Sequence, residues 1–169
     1  MRFLILFIFL INNVSANDLP QIKNIVIHKD LKTYDNVIFL DKKDQKINIK
    51  DFNGNLVVLN FWATWCEPCK EEMPSLDRLQ VNPKLNNLKI FPINISKEKF
   101  EKVDIFFKAL GIKNMKPYFD APTTLAKTFT LRGVPTSILF NKNGKEFARI
   151  IGSIDFDDKK FINWLKMYN

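Results

Sequence analysis

Positions 56–62, LVVLNFW, form an almost uninterrupted apolar run in which Asn60 is the one strongly polar residue. A strand that is apolar on both faces must be covered on both sides, as in sheets packed between two layers of helices. After a short turn, apolar residues recur at every third position as Met73, Leu76 and Leu79. This spacing indicates one face of a helix. The sequence therefore predicts a central buried strand that leads directly into a helix.

Turn signals and apolar spacing divide the rest of the chain into further elements. In chain order, the predicted elements are a hairpin of residues 36–40 and 46–50, a buried strand 88–95, a helix 98–110, a short strand 118–119, a short helix 121–129, a hairpin of 136–140 and 145–151, and a closing helix 155–168. This order predicts an α/β fold, with a central mixed β-sheet flanked by helices on both faces and an N-terminal β-hairpin extension.

The N-terminus has the composition of a secretory signal peptide. Arg2 precedes nine apolar residues, 3–11, and the small-residue sequence V-S-A follows as a cleavage site. A helix of nine to twelve residues spans roughly 14–18 Å, which is too short for a hydrocarbon core of about 30 Å. We therefore expect a cleaved signal peptide at residues 1–16, an N-terminal arm with a first short strand at 17–35 and a single domain at 36–169. An uncleaved membrane anchor is the alternative.

The net charge of +8 arises from 26 basic and 18 acidic residues. Most of the basic residues are lysines, and they are scattered among acidic residues along the whole chain. Nucleic-acid-binding proteins instead concentrate basic groups on one face and favour arginine. We interpret the charge as a solvated surface, and no nucleic-acid partner is expected.

Cys66 and Cys69 are the only cysteines, and they lie three positions apart. A zinc site needs about four ligands, and His28 is the one other good donor, so no metal site is expected. A disulfide that closes so small a loop adds little stability, because the stabilisation grows with loop length. The pair is therefore interpreted as a redox couple that needs no cofactor. His28 is interpreted as a surface residue, and a copper-handling module that uses His28 and Met73 is an alternative.

The position of the pair favours a reactive thiolate. Cys66 follows the buried strand at the start of the helix, where unpaired N–H groups and the helix dipole stabilise negative charge. Its pKa should therefore lie below the usual value of roughly 8.5. Cys69 lies one turn further along, where it is shielded and can resolve a mixed disulfide at Cys66. Pro68 suits the first helical turn, where its missing N–H costs nothing.

The residues around the pair resemble the thioredoxin superfamily. Positions 61–70, FWATWCEPCK, are similar to the thioredoxin active-site signature, and positions 133–136, GVPT, to the cis-proline loop that faces it. Asn60 and the sequence EEMP at 71–74 resemble the TlpA/ResA group of extracytoplasmic thiol–disulfide oxidoreductases. The resemblance covers residues 36–169 and implies a thioredoxin fold.

This resemblance also implies residue roles. Cys66 would be the exposed nucleophile and Cys69 the resolving thiol. Val134 and Pro135 would bind the partner chain in an extended, strand-like manner. Trp65 would pack beside the site, with a place in the core as its alternative.

Three further residues would tune the pKa values of the pair. Glu72 matches an acid of the TlpA/ResA group that lies near the cysteines, and a solvated helix carboxylate is its alternative interpretation. Glu67 and Pro68 lie between the cysteines, and the charge of Glu67 should oppose thiolate formation. Asn60 stands where ordinary thioredoxins have a buried Asp, so Glu72 is the expected substitute for that acid.

The resemblance implies an exported oxidoreductase that reduces disulfides in other exported proteins. The client would be apocytochrome c, and a membrane electron donor of the CcdA or DsbD type would recharge a monomeric protein. One alternative is a DsbA-like thiol oxidant with the opposite electron flow. A second is a non-catalytic, redox-gated binding module or chaperone.

Overall fold

The structure is a computed structural model that describes residues 24–120 and 123–169. The predicted signal peptide at 1–16 and the first residues of the predicted arm lie outside these ranges. In chain order, the described elements are β1 (Ile25–Lys32), β2 (Ile38–Leu40), β3 (Lys46–Asn48), a 3₁₀ helix (Ile49–Phe52), β4 (Leu56–Trp62), α1 (Glu67–Leu79), β5 (Leu88–Asn94), α2 (Phe100–Ala109), β6 (Tyr118–Phe119), α3 (Leu125–Thr128), β7 (Thr136–Phe140), β8 (Glu146–Ile151) and α4 (Lys159–Lys166).

The strands have bounds close to the predicted ones, whereas three helices are shorter than predicted. The helix expected at 155–168 begins only at Lys159, because the carboxylate of Asp158 accepts a hydrogen bond from the backbone N–H of Phe161 at 2.8 Å and caps the helix there. The helix expected at 98–110 is confined to α2. Within the described residues 123–129, the helix expected at 121–129 is confined to α3.

Strand β4 lies inside an eight-stranded sheet of the described residues with the order β1-β8-β7-β4-β5-β6-β2-β3. It runs parallel to β5 and antiparallel to β7, where Phe61 lies opposite Thr136. The β2–β3 hairpin pairs antiparallel and extends one edge of the sheet. These pairings confirm the predicted mixed sheet.

Successive residues of β4 enter two separate cores. Val58 and Trp62 pack in a core with apolar residues of α1, α2 and α4. Leu59 and Phe61 pack on the other side, with Leu125 of α3 and residues next to it. Helices thus cover both faces, as predicted, and all seven residues of β4 are buried. The end of this rigid strand fixes the position of the cysteine pair that follows it.

Strand β1 belongs to the sheet and begins before residue 36, where the sequence predicts the domain to start. It pairs antiparallel with β8, with Ile25 opposite Ile150. The interpretation of His28 as a surface residue is wrong, because its side chain is only 11% exposed and its Nε2 lies 2.5 Å from Oε1 of the fully buried Glu146. The imidazole is thus one of the partners of this buried carboxylate.

Glu146 and Arg149 together connect β1 to Phe129, the residue that follows α3. Tyr34 donates its hydroxyl to Oε2 at 2.5 Å, and Arg149 donates Nε to Oε1 at 2.5 Å. Arg149 also donates Nη1 to the carbonyl oxygen of Phe129 at 2.6 Å. Burial disfavours the charged form of Glu146, but the hydrogen bonds from Arg149, Tyr34 and His28 outweigh it and hold the pKa below its usual range.

No helix in the described part of the chain is both long enough and apolar enough to cross a membrane.

Candidate redox site

Cys66 occupies the junction between β4 and α1. It is the N-cap residue of α1, with an extended backbone, and its Sγ accepts a hydrogen bond from the backbone N–H of Cys69 at 3.3 Å. The two sulfurs are joined in a disulfide. The predicted position at the helix N-terminus is therefore present, and in the dithiol state the same N–H and the helix dipole would stabilise a Cys66 thiolate.

The two cysteines differ in access to solvent. Both are buried in the core that contains Met73, but Cys66 keeps 4% of its surface exposed and Cys69 keeps none. A partner sulfur can therefore reach Cys66 more readily than Cys69. Pro68 lies in the first turn of α1, where its lack of an N–H leaves no bond unmade.

Trp65 is 69% exposed and does not belong to the core. Its indole Nε1 donates a hydrogen bond to Oγ of Ser96 at 3.1 Å. The preceding residue, Thr64, donates its hydroxyl to Glu98, whose other oxygen accepts from Asn94 at 3.1 Å. The loop after β5 therefore holds the two residues that precede Cys66. Sequence reasoning did not identify Ser96, Glu98 or Asn94, because contacts across some thirty positions leave no local pattern.

Glu72 is only 2% exposed, so the interpretation of a solvated helix carboxylate is wrong. Its Oε1 accepts a hydrogen bond from Nδ2 of Asn60 at 2.8 Å, and Oε2 has no partner among the described residues. Burial raises the pKa of Glu72 to about 8, although hydrogen bonds from Asn60 and the Ile154 backbone oppose the shift. The acid is therefore poised to hold or release a proton near neutral pH.

Asn60 joins Glu72 to the neighbouring strand. Its Nδ2 also donates to Oγ of Ser137 at 3.0 Å, and all three side chains are buried. Glu72 lies three positions after Cys69 in α1, so both residues lie on the same face of the helix. Ser137 was not identified from the sequence, because only the pairing of β4 with β7 brings it opposite Asn60.

Glu67 lies on the outer side of the first turn. Its side chain is 72% exposed, and Oε2 lies 2.7 Å from Nζ of Lys70. Water and this lysine screen its charge. Any effect of Glu67 on the cysteine pair is therefore reduced relative to that of a buried carboxylate.

The cis-proline loop precedes β7 at the end of the sheet where β4 leads into the cysteine pair. The Val134–Pro135 peptide bond is cis, and the pairing of Thr136 with Phe61 places the loop next to the end of β4. The hydroxyl of Thr136 donates to the Gly133 carbonyl oxygen at 2.8 Å, which closes the loop on itself. Pro135 is buried, whereas Val134 is partly accessible to solvent.

His28 and Met73 are not brought together. His28 contacts Glu146 at the β1 edge, whereas Met73 is fully buried in the core beneath α1. This separation contradicts the copper-handling alternative. Within residues 24–120 and 123–169, no three His, Cys, Asp or Glu side chains are grouped closely enough to hold a metal ion.

The sheet order, the helical layers and the placement of the cysteine pair define a thioredoxin-fold protein with a C-x-x-C centre. The sequence model of the Redoxin family matches residues 15–160, and the chain belongs to this family. Relatives include the thiol-disulfide oxidoreductase ResA of Bacillus cereus, 34% identical over 117 residues, and that of Bacillus subtilis, 30% identical over 119. The matches cover 69% and 70% of this chain, and 66% and 65% of the relatives, just under two thirds of their length.

Solved structures give the same fold. StoA from Bacillus subtilis superposes with a TM-score of 0.63 at 26% identity, over 77% of this chain and 98% of StoA. A thiol:disulfide interchange protein, DsbE from Chlorobium tepidum, superposes with a TM-score of 0.68 at 22% identity, over 80% of this chain and 96% of the other. The thioredoxin fold and the similarity to ResA-type proteins are thus confirmed.

Proposed function

We propose that this protein is a thiol–disulfide oxidoreductase that reduces disulfides in exported proteins by means of Cys66 and Cys69. The observation that carries the proposal is the asymmetric pair at the N-terminus of α1 above a buried acid, Glu72, whose pKa is about 8. The names of the ResA relatives support the same chemistry.

The proposed reaction is a dithiol–disulfide exchange in two steps. The Cys66 thiolate attacks one sulfur of the client disulfide, and the other client sulfur leaves as a thiolate that takes up a proton. The Cys69 thiolate then attacks the Cys66 sulfur and releases the second client thiol. The client disulfide gains two electrons and two protons, and the protein ends as the Cys66–Cys69 disulfide.

Glu72 is the proposed proton acceptor for Cys69. The thiol must lose its proton before it can attack, and its side chain has no solvent-exposed surface through which bulk water could accept it. With a pKa of about 8, Glu72 is mostly protonated at pH 7, and its ionised fraction is the form that accepts the thiol proton. Asn60 positions the carboxyl group through its hydrogen bond to Oε1.

The proposed client-binding surface consists of Trp65, Val134 and Pro135. Val134 supplies backbone groups to an extended client segment beside the cysteines. The exposed ring of Trp65, held by Ser96, supplies an apolar surface next to Cys66. Glu67 and Pro68 are the remaining residues proposed to influence the pKa of the pair.

We infer that the protein acts outside the cytoplasm, after cleavage of residues 1–16 or attached through them. The solved neighbours include a secreted thiol-disulfide isomerase from Corynebacterium glutamicum and an exposed lipoprotein thioredoxin from Streptococcus pneumoniae, which supports this location. The proposed client is apocytochrome c, and the proposed donor is a membrane protein of the CcdA or DsbD type. The protein is proposed to act as a monomer and without nucleic acid.

Two other functions remain as alternatives. A DsbA-like oxidant would use the same cysteines with the opposite electron flow. A redox-gated binding module would hold clients without turnover. The buried Glu72 favours turnover over holding, because a proton acceptor beside a resolving thiol has no purpose in a passive binder.

Insulin reduction by dithiothreitol-regenerated protein tests the proposed activity. The wild type is expected to catalyse precipitation of the insulin B chain, and Cys66→Ser is expected to abolish catalysis. Cys69→Ser, in contrast, should accumulate a mixed disulfide with the client that is visible by non-reducing electrophoresis. An unchanged rate in Cys66→Ser, or no catalysis by the wild type, contradicts the proposal.

A further inference from the structure

A cleft of about 350 Å³ lies between β1, β8 and the segment that leads into the cis-proline loop. We refer to it as the basic cleft, because every charged residue that lines it within 24–120 and 123–169 is basic. Its polar and charged lining residues are His28, Lys32, Thr130, Arg132, Thr136 and Arg149.

Two of the four basic residues already have a partner. His28 and Arg149 both contact Glu146, which lies fully buried beneath the cleft. Lys32 and Arg132 are exposed, and neither forms an ion pair with another residue of the described ranges. Among the described residues, the basic cleft therefore presents to solvent two positive charges that form no ion pair.

The basic cleft adjoins the proposed client-binding loop. Arg132 precedes Val134 by two positions, a separation of about 7 Å at most along the chain. Thr136, on the other side of the loop, also lines the cleft, and the Gly152 N–H donates to the Pro135 carbonyl oxygen at 2.9 Å. A client segment that lies along Val134 can thus place its next residues over Lys32 and Arg132.

The rim of the cleft adds an apolar contact. Val26 of β1 and Ile151 of β8 are 47% and 51% exposed, although both are aliphatic residues of a sheet. A segment that combines acidic with apolar side chains would cover the charges and these side chains together.

The geometry points to a specificity site: the basic cleft binds an acidic segment of the client, next to the client residues that occupy the cis-proline loop. This inference rests on the proposed function, because it assigns a preference among the disulfide clients. According to this inference, the charge of the basic cleft determines which clients are preferred, and the net charge of +8 over the whole chain does not.

Disulfide-bonded peptides that differ only in two residues beside the cysteine test this inference. These two residues are Asp-Asp, Asn-Asn or Lys-Lys. They precede the cysteine in one series of three peptides and follow it in a second series. The second-order rate constant for reduction by the dithiol form is measured by chromatography at low ionic strength. In the series whose varied residues reach the basic cleft, the Asp peptide is expected to react about three- to tenfold faster than the Asn peptide. The Lys peptide is expected to react more slowly than the Asn peptide.

Two double variants separate local from global charge. Lys32→Gln with Arg132→Gln is expected to bring the Asp-to-Asn rate ratio close to one. Lys142→Gln with Lys145→Gln removes the same charge from exposed positions in the β7–β8 turn, at the other end of β7, and should leave the ratio unchanged. Lys32→Glu with Arg132→Glu should reverse the preference in favour of the Lys peptide.

The ratio is independent of the fraction of active protein, so partial misfolding of a variant does not affect the conclusion. A wild-type ratio of one in both series, or an equal loss of preference in the two Gln variants, overturns the specificity site. Failure to reduce any of the peptides contradicts the proposed function itself, and the specificity site with it.

Discussion

Glu72 is a carboxyl group with one side-chain hydrogen-bond donor and almost no contact with water. At neutral pH its protonated form is favoured, because the hydrogen bonds from Asn60 and the Ile154 backbone do not offset the cost of a buried charge. An apolar residue would avoid this cost. A protonatable group three positions after Cys69 suits the proposed proton transfer.

Stability should depend on pH through this residue. The folded protein keeps a proton on Glu72 up to about pH 8, whereas the unfolded chain releases it near pH 4.5. The free energy of unfolding of the wild type is therefore highest below pH 4.5, and it falls as the pH rises to about 8. Gln at position 72 has no titrating proton, so the stability of Glu72→Gln does not fall in this way. Its free energy of unfolding relative to that of the wild type should therefore rise by on the order of 4 kcal/mol between pH 4.5 and pH 8.

Chemical denaturation of the oxidised proteins at pH 4.5, 6.5 and 8.5 measures this difference. Glu71→Gln is the matched control, since its side chain is exposed on the adjacent position of the same helix. A difference between Glu72→Gln and wild type that stays constant with pH would show that Glu72 ionises with an ordinary pKa.

The residues of the site differ in whether the sequence alone identifies them. The cysteine pair, Glu72 and the cis-proline loop lie in local motifs, so the sequence identifies them as candidates. Ser137 and Ser96 contribute through contacts with residues that are far away in sequence. Their side chains have no distinctive spacing, and only the sheet register and the loop conformation bring them to the site.

Among the elements, α4 illustrates how a side chain decides where a helix begins. Apolar spacing extends the helix to residue 155, but the Asp158 carboxylate satisfies the Phe161 N–H and starts the helix at Lys159. Asp158→Ala should therefore lower the free energy of unfolding by about 1 kcal/mol, measured by urea denaturation. Asp158→Ser, which keeps an acceptor, should lose much less. Equal losses in the two variants would show that the cap contributes nothing.

Strand β4 was predicted with its observed bounds, because burial on both faces requires a continuous apolar run. Strand β1 was harder to recognise, since most of its residues are exposed at the edge of the sheet. Its inward-facing His28 resembles a surface residue until the pairing with β8 places it against Glu146. Edge strands with a polar interior contact lack the periodicity on which sequence interpretation depends.

For the whole molecule, Glu146 links β1 to the rest of the domain. It is fully buried and contacts His28, Tyr34 and Arg149 from three parts of the chain. Glu146→Ala leaves Arg149, only 16% exposed, without its carboxylate, and should lower the free energy of unfolding by about 3 kcal/mol.

Urea denaturation of this variant at pH 7 provides the measurement, with the exposed Glu71→Ala as the control. A loss below about 0.5 kcal/mol, similar to that of an exposed residue, would contradict the assigned role of Glu146. Amide hydrogen exchange should also show faster exchange in β1 and β8 than in β4, because these two strands lose their shared anchor.

The direction of electron flow depends on the relative stability of the dithiol and disulfide forms of the protein. The reduction potential of the Cys66–Cys69 couple, measured by equilibration with glutathione or dithiothreitol buffers, tests the proposed reductant most directly. We predict a value near or below that of thioredoxin, about −270 mV. A value near that of DsbA, about −120 mV, would contradict the account and identify the protein as an oxidant.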